Sequence, residues 1–328
     1  MRWTKARSAT LTVLAVLTLV TLSSGSSRAD DPPYPGLPPT EVPPPPLAHR
    51  SWGGTAFGAT AYVQRARQWV RTPLMTAAFD INSGTVDPNP DPSHYNQCTV
   101  LNANSYLVAP AGGPHNYGAS RDITVHTVAF GSIPVDATVQ LEQARAAGLP
   151  VPIRLSTQVC SNTLGAIEVP DNEFKFSLFT HVTALQVDGV PVNLGGGCRT
   201  RSPGTVDLHG KGYYQGWDGT KTVPAPATPY WDNGHYNVSS GGLLTGTVDV
   251  PAFAGCTTAD GDDLSRLLTA TISGTGFPLQ VIQGSAFACS VNNLPPKPGA
   301  STPESVPCNT NPAVLPAGGA PPIPQNGN

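Results

Sequence analysis

Apolar and polar residues alternate along several stretches of this chain, and that period of two restricts its fold more than any other feature. Ile133, Val135, Ala137, Val139 and Leu141 occupy every second position of one stretch, with polar residues or proline between them. The stretches 151–159 and 123–129 repeat the pattern. Successive side chains of a strand point to opposite faces of its sheet, so each stretch predicts a strand with one apolar face.

A hairpin is the most specific local prediction. The strand-rich segment 174–187 leads into Asp188-Gly189, which suits a type I′ turn, and 190–194 can then pair back. Further strands are predicted at 204–209, 243–250, 267–273 and 278–283, and 64–70 could add one helical turn. These short strands, each with one polar face, predict a mainly β fold, an antiparallel β-sandwich built as a single large domain or two small ones.

The N-terminus has the pattern of a secretory signal peptide. Arg2, Lys5 and Arg7 precede an uncharged apolar run at 11–22, and a small-x-small cleavage pattern ends at Ala29. We therefore expect cleavage before Asp30, a secreted chain that is extracellular or associated with the cell wall, and no transmembrane segment in the mature part. Removing the four basic residues of 1–29 leaves 14 basic against 21 acidic residues, a net charge of −7 that argues against a nucleic-acid partner.

The cysteines are even in number, which favours disulfides in an exported protein. Two strand ends share a Gly-Cys-x-Thr pattern, at Cys198 and at Cys256, so these two cysteines are plausible partners. A Cys289–Cys308 bridge would attach the start of the tail to the core. The predicted disulfide-forming set is Cys98, Cys160, Cys198, Cys256, Cys289 and Cys308.

Proline-rich segments flank the β region and set the predicted domain boundaries. Residues 1–29 form the signal peptide, 30–50 a Pro-rich linker, 51–293 the β-sandwich region and 294–328 a Pro/Gly-rich tail. Such ends favour extended or disordered chain over helix or central strand.

The stretches 185–200, 243–256 and 267–274 resemble uncharacterised secreted proteins of actinobacteria. The resemblance covers roughly 123–283. It implies an exported β-rich fold and supplies no catalytic residue.

Motifs for catalysis and cofactors do not stand out, so we predict no enzymatic activity, no catalytic residue, no cofactor and no metal. His126, His181 and His209 fall on the polar faces of predicted strands, where a solvated histidine is the ordinary outcome. Two oxygen-rich segments resemble calcium loops only weakly, at 87–93 and 260–263; the second is equally a turn.

One region is unusually aromatic. Aromatic faces cover the C–H surfaces of sugars while nearby polar groups hold their hydroxyls, so the loop 213–236 predicts binding of cell-wall or extracellular polysaccharide. The alternative is a loop that folds its aromatic side chains over an open end of the sandwich. The candidate ligand-binding residues are Tyr213, Tyr214, Trp217, Asp218, Tyr230, Trp231, Asp232, Asn233, His235 and Tyr236.

The sequence thus predicts an extracellular or envelope binding or structural protein. The alternative function is a secreted hydrolase whose active site is assembled from distant residues. An exposed Ser or Asp near one of the three histidines, inside a concave pocket, would favour it.

Overall fold

A computed structural model describes residues 52–87, 97–110, 115, 117–129, 133–162, 165–227, 230–289 and 320–321. Within these residues the fold is mainly β, and nearly every strand belongs to one large antiparallel sheet. The sheet curls around a central hollow.

The strands, in chain order, are β1 (Trp52–Val63), β2 (Gln68–Arg71), β3 (Met75–Asp87), β4 (Gln97–Leu107), β5 (Ile123–Ala129), β6 (Ile133–Glu142), β7 (Arg145–Ala146), β8 (Leu149–Pro150), β9 (Ile153–Ser161), β10 (Ile167–Val169), β11 (Asn172–Val187), β12 (Val190–Val192), β13 (Arg199–Thr200), β14 (Gly204–Gly210), β15 (Tyr213–Trp217), β16 (Thr222–Val223), β17 (Tyr236–Asn237), β18 (Gly241–Val250), β19 (Phe253–Ala254), β20 (Gly274–Gln283) and β21 (Phe287–Cys289). A 3-10 helix spans Tyr230–Asp232, and the helix α1 spans Ser265–Ile272.

Two arcs, each curved like a half-barrel, leave β1 on its opposite edges. One arc runs β1–β3–β4–β9–β10 and the other runs β1–β20–β18–β14–β11. The first arc ends at β10 and the second at β11. These two strands are consecutive in the chain, so the two arcs meet between them. The far half of β11 pairs with β6, and β6 with β5, which extends the wall at one end.

Alternation explains why the sheet curls. Inner-facing positions are apolar on almost every strand, and such a face must be removed from water. Irregular pairings interrupt the ladders at 182–184 in β11, at 81–83 in β3 and at 248–250 in β18. Bulges of this kind increase local twist and bend a strand, so the sheet can wrap its apolar face inward.

This architecture differs from the predicted sandwich. The antiparallel, mainly β prediction is confirmed, but the strands form one curled sheet instead of two facing sheets. The sequence pattern fixes which face of a strand is apolar, and both arrangements satisfy that requirement equally.

The hairpin prediction is confirmed. β11 ends at Val187, Asp188 and Gly189 both have positive φ values of 51° and 75°, and β12 pairs back so that Val187 faces Val190. Two left-handed residues in succession are what a type I′ turn requires.

The predicted strand at 267–273 is wrong, since 265–272 is helical. The Asp263 carboxylate accepts the Ser265 N–H at 2.9 Å and so occupies one free donor of the first turn. Leu264, Leu268 and Ile272 follow at a spacing of four and all join the core cluster beneath the helix. The predicted helical turn at 64–70 is a turn at 64–67 followed by β2.

Two disulfides lie within the described residues. Cys198–Cys256, the predicted pair, joins the ends of two strand segments with its Cα atoms 4.1 Å apart, and both cysteines are fully buried. Cys98–Cys160 links directly opposed residues of β4 and β9 at the other end of the sheet. The predicted partner roles of Cys289 and Cys308 lie outside what the structure describes.

The tail touches the sheet at 320–321. Thr60, which has no exposed surface, donates its hydroxyl to the Pro321 carbonyl at 2.6 Å, and Arg71 Nη2 donates to the Ala320 carbonyl at 2.8 Å. These two tail residues therefore cover the outer face of β1 and β2. The signal peptide and the Pro-rich linker at 30–50 lie outside the described residues.

We expect the variant Cys198→Ser/Cys256→Ser to lose about 4 kcal/mol of unfolding free energy, because the bridge spans 58 residues and a long closed loop restricts the unfolded chain. Guanidinium unfolding at equilibrium measures the loss. The Cys→Ala version of the same pair separates the missing bridge from the burial of two hydroxyls. A loss below about 1 kcal/mol in both versions would contradict a stabilising role for the bridge.

Candidate functional site

The sheet encloses a concave hollow with a volume of about 1260 Å³. Its wall is formed by side chains of thirteen strands and of α1. Ligand pockets usually measure roughly 300–1,000 Å³, so this hollow is large enough for a ligand bigger than most metabolites.

The side chains of the described residues do not fill this space. Eleven buried residues form a core cluster along the wall, and other inner-facing apolar side chains pack against it while remaining only partly buried. Protein interiors normally contain few voids larger than a water molecule. The partly buried group comprises Phe57, Ala61, Leu141, Leu155, Phe176, Val238 and Val248.

One end of the hollow is closed by Tyr236. Its ring is 1% exposed and packs edge-on against Phe174, with ring centres 5.6 Å apart. Its hydroxyl donates to Gln283 Oε1 at 2.7 Å, and Gln283 Nε2 donates to the Val238 carbonyl. Burial raises the pKa of Tyr236 above its ordinary value. The polar atoms at this end are therefore already satisfied, and the floor of the hollow is closed.

The opposite end is open, and we call its border the rim. The rim consists of the β1–β2 turn at 64–67, the ends of β5 and β6 at Val128 and Ile133, the tip of the β11–β12 hairpin and the loop 258–262. Wall residues here are exposed, as at Arg65, Val128 and Asp260, whereas Met75 and Leu107 near the closed end are buried. Four of the five charged residues that line this mostly apolar space thus stand at the rim, and the fifth is Asp249 near the end of β18.

A seam runs along the wall between β2 and β5. Each of these strands pairs on one edge only, with β1 and with β6. Across the seam, Gln68 Nε2 donates to the His126 carbonyl, and Arg121 Nη1 donates to the Leu74 carbonyl at 3.4 Å. No backbone ladder joins the described strands β2 and β5. The two side-chain hydrogen bonds connect them at this part of the wall.

The aromatic loop lies at the closed end, and half of its rings are used in packing. Tyr230 is 8% exposed and stacks against Tyr213 at 5.3 Å, with their hydroxyls 3.2 Å apart. His235 packs edge-on against Tyr213, and its Nδ1 lies 2.8 Å from the Gly212 carbonyl. Burial raises the pKa of Tyr213 to about 12. Tyr230 and Tyr236 are buried in this arrangement, whereas the binding of a polymer by the loop stays a prediction.

The other predicted residues of the loop lie nearer the surface. Trp217 is 53% exposed at the end of β15, and the half-buried Tyr214 donates its hydroxyl to the Trp217 carbonyl. Asp218 accepts three hydrogen bonds from Thr220 and Lys221, and these bonds, that of the Thr220 hydroxyl first, lower its pKa to about 2. Asp218 therefore stabilises the turn at 218–221.

Of the remaining predicted residues, Asp232 and Asn233 are exposed next to the 3-10 helix, and Trp231 belongs to that helix. Asn233 Oδ1 accepts the His235 N–H at 3.2 Å. The role of the exposed residues in binding polysaccharide stays a prediction.

All three strand histidines point away from the hollow, and each is paired with a carboxylate. The Nδ1 atoms of His126 and His181 lie 2.6 Å from Asp136 and 2.7 Å from Glu142, and His209 Nε2 lies 3.2 Å from Asp207. No histidine lines the described wall. These pairs stand on the outer face, away from the hollow, and the hydrolase alternative stays a hypothesis.

One cluster that the sequence did not indicate is Glu173, Asp207 and His209 on the outer face of β11 and β14. Only the strand register, which sets Glu173 opposite His209, brings them together. Lys175 Nζ lies 3.3 Å from Asp207, so protein cations already compensate this carboxylate.

The two calcium hypotheses gain no support. Positions 88–93 lie outside the described residues. In the loop 260–263, the Asp262 N–H is held by Thr258 Oγ1 at 3.0 Å and Asp263 begins α1, as the turn alternative predicts.

Comparison with protein families, with curated proteins and with solved structures gives no match for this chain. Among the described residues, no helix is long and apolar enough to cross a membrane.

The Glu142–His181 pair gives a pH prediction. The hydrogen bond between them lowers the pKa of Glu142 and raises that of His181. The stabilisation by Glu142 is present above its ordinary pKa of 4.5 and is lost as the pH falls through the lowered value. The stabilisation by His181 is present below its ordinary pKa of 6.5 and is lost as the pH rises through the raised value.

We therefore expect His181→Gln to cost the most unfolding free energy between pH 4.5 and 6.5 and progressively less on either side. Urea unfolding across a pH series measures this difference. His126→Gln, which removes a pair whose histidine is 75% exposed, serves as the control and should change stability little. A cost for His181→Gln that does not vary with pH would count against the pair.

Proposed function

We propose that this protein is an extracellular or envelope binding protein whose ligand is a long-chain apolar molecule, such as a lipid, held in the hollow of the curled sheet. One observation carries the proposal: inner-facing apolar side chains remain partly exposed around a space of about 1260 Å³. A structural protein of this size would be expected to pack its core. A ligand with long hydrocarbon chains supplies the contacts that the wall lacks.

The energetics favour hydrocarbon over sugar or ion. Transfer of one methylene group from water into an apolar site is worth roughly 0.8 kcal/mol. A polar ligand would lose its hydrogen bonds to water along a wall that offers almost no partners, which is costly. Four charged residues of the wall, Arg65, Arg67, Asp260 and Asp262, stand at the rim, where a polar headgroup would remain in water.

The disulfides support the proposed location. Buried bridges such as Cys198–Cys256 persist in oxidising compartments and are rare in the cytosol. Together with the signal-peptide pattern at 1–29, they favour secretion to the envelope or the medium.

The first test is a chain-length series. Laurate, myristate and palmitate differ by two methylenes at each step, so the dissociation constant should fall by about tenfold per step until the hollow is filled. Displacement of a fluorescent fatty acid measures each constant. Equal affinities for the three acids, or no binding, would contradict the proposal.

The second test fills the hollow. Ala137 on β6 is half-buried and faces the hollow, so Ala137→Phe should weaken palmitate binding by about tenfold or more without lowering the melting temperature. Thr138→Phe adds the same ring to the outer face of β6 and should leave binding unchanged. Equal loss of binding in both variants would place the ligand elsewhere.

A second candidate function is retention on cell-wall or extracellular polysaccharide through the exposed part of the loop 213–236. The observation in its favour is the exposure of Trp217, an aromatic side chain that would otherwise be expected to pack.

This candidate predicts that Trp217→Ala reduces retention on insoluble cell-wall polysaccharide without lowering the melting temperature. Leu149→Ala, which removes an equally exposed apolar side chain far from the loop, is the matched control. Unchanged retention of Trp217→Ala in pull-down assays would remove the candidate.

A further inference from the structure

Exposed large apolar side chains are concentrated at the rim. Val128 is 55% exposed, Ile133 is 37% exposed and Val190 is 65% exposed. Single exposed apolar residues are ordinary on protein surfaces, whereas a cluster at one place marks an interaction site.

The strand pairing places these three residues at neighbouring strand ends. β5, β6, β11 and β12 are neighbours, with Val128 opposite Pro134 and Val190 opposite Val187. The Asp188 N–H donates to the Pro134 carbonyl at 2.8 Å, which fastens the β11–β12 hairpin to the start of β6. Adjacent strands are roughly 4.8 Å apart, so the exposed Val128, Ile133 and Val190 stand along one part of the rim, beside the exposed Asp188.

That edge is continuous with the hollow. Val128, Ile133 and Val187 line the hollow, and Val187 pairs with Val190 across the β11–β12 hairpin. A molecule leaving the hollow past these residues would therefore meet apolar side chains at the rim.

Charge around the rim is mixed. Arg65 and Arg67 stand on the β1–β2 turn, and Asp188, Asp260 and Asp262 are exposed on the other segments. Opposite charges at short spacing produce no field of one sign, so the rim is suited to a neutral surface rather than to a strongly charged partner.

We propose that the rim docks on the surface of a lipid bilayer, with Val128, Ile133 and Val190 inserted among the lipids. The hollow then opens onto the hydrocarbon, and its ligand passes between bilayer and protein without crossing water. This inference rests on the proposed function, because it names the source of the apolar ligand.

The test uses neutral phosphatidylcholine vesicles and the mature chain. Val128→Ser/Ile133→Ser/Val190→Ser should lower co-flotation with vesicles by about tenfold or more, since three buried apolar contacts are lost. Leu149→Ser/Val151→Ser changes two side chains of similar exposure away from the rim, at 51% and 44%, and should float like the wild type. Raising the salt concentration should not release the wild type, because the contact is apolar.

The single variant Val190→Ser, at the most exposed position, repeats the test with little risk to folding. An unchanged partition of both rim variants, or a wild type that does not float, would overturn the proposal. Release of the wild type by salt would also overturn it, since binding would then be electrostatic.

A second measurement separates docking from ligand binding. Transfer of a fluorescent fatty acid from vesicles should be about tenfold slower for Val190→Ser, whose side chain is not part of the wall, while its affinity for monomeric palmitate in solution stays that of the wild type. An equal loss of solution affinity would place the rim inside the ligand site and contradict docking. A wild type that binds no palmitate in solution would reject the proposed function itself, whatever the vesicles show.

Discussion

The alternation of apolar and polar side chains along long strands is the constraint from which the rest of this structure follows. An apolar sheet face must be covered, and here one sheet covers its own face by curling until its two arcs meet. The strands enclose a space that their inner-facing side chains do not fill. The hollow of about 1260 Å³ is the consequence.

Other features of the fold hold this curled shape in place. Cys98–Cys160 ties β4 to β9 near one end, and Cys198–Cys256 anchors the segment that carries α1 near the other. Gln143, only 3% exposed, bonds through its side-chain amide to the backbone of Leu107, Ser105 and Val151, which joins β4 to the end of β6. The seam between β2 and β5 differs from these regions, because two side-chain hydrogen bonds connect it and no backbone ladder joins the described strands there.

The sequence predicts much of the local structure of this chain but not how its strands assemble. The Asp188-Gly189 hairpin follows from two adjacent residues that suit a type I′ turn. The Cys198–Cys256 pair follows from a Gly-Cys-x-Thr pattern that occurs at two strand ends. The sequence predicts a strand over 267–273 because Leu, Thr and Ile residues favour strands. The segment 265–272 is a helix in the structure, where Leu264 and Leu268 pack in the core cluster. Whether apolar faces meet across two sheets or across one hollow depends on contacts between distant strands, which no single stretch encodes. The same limit applies to the loop 213–236, where composition shows many aromatic rings but not that Tyr230 and Tyr236 are buried.

The central claim is that the hollow is a ligand site and not merely an unfilled core. Native mass spectrometry of the secreted protein, recorded before and after solvent extraction and again after incubation with palmitate, tests it most directly. The account predicts an added mass that extraction removes and palmitate restores, and loss of both additions in Ala137→Phe. The mass of the bare chain under all three conditions would contradict it.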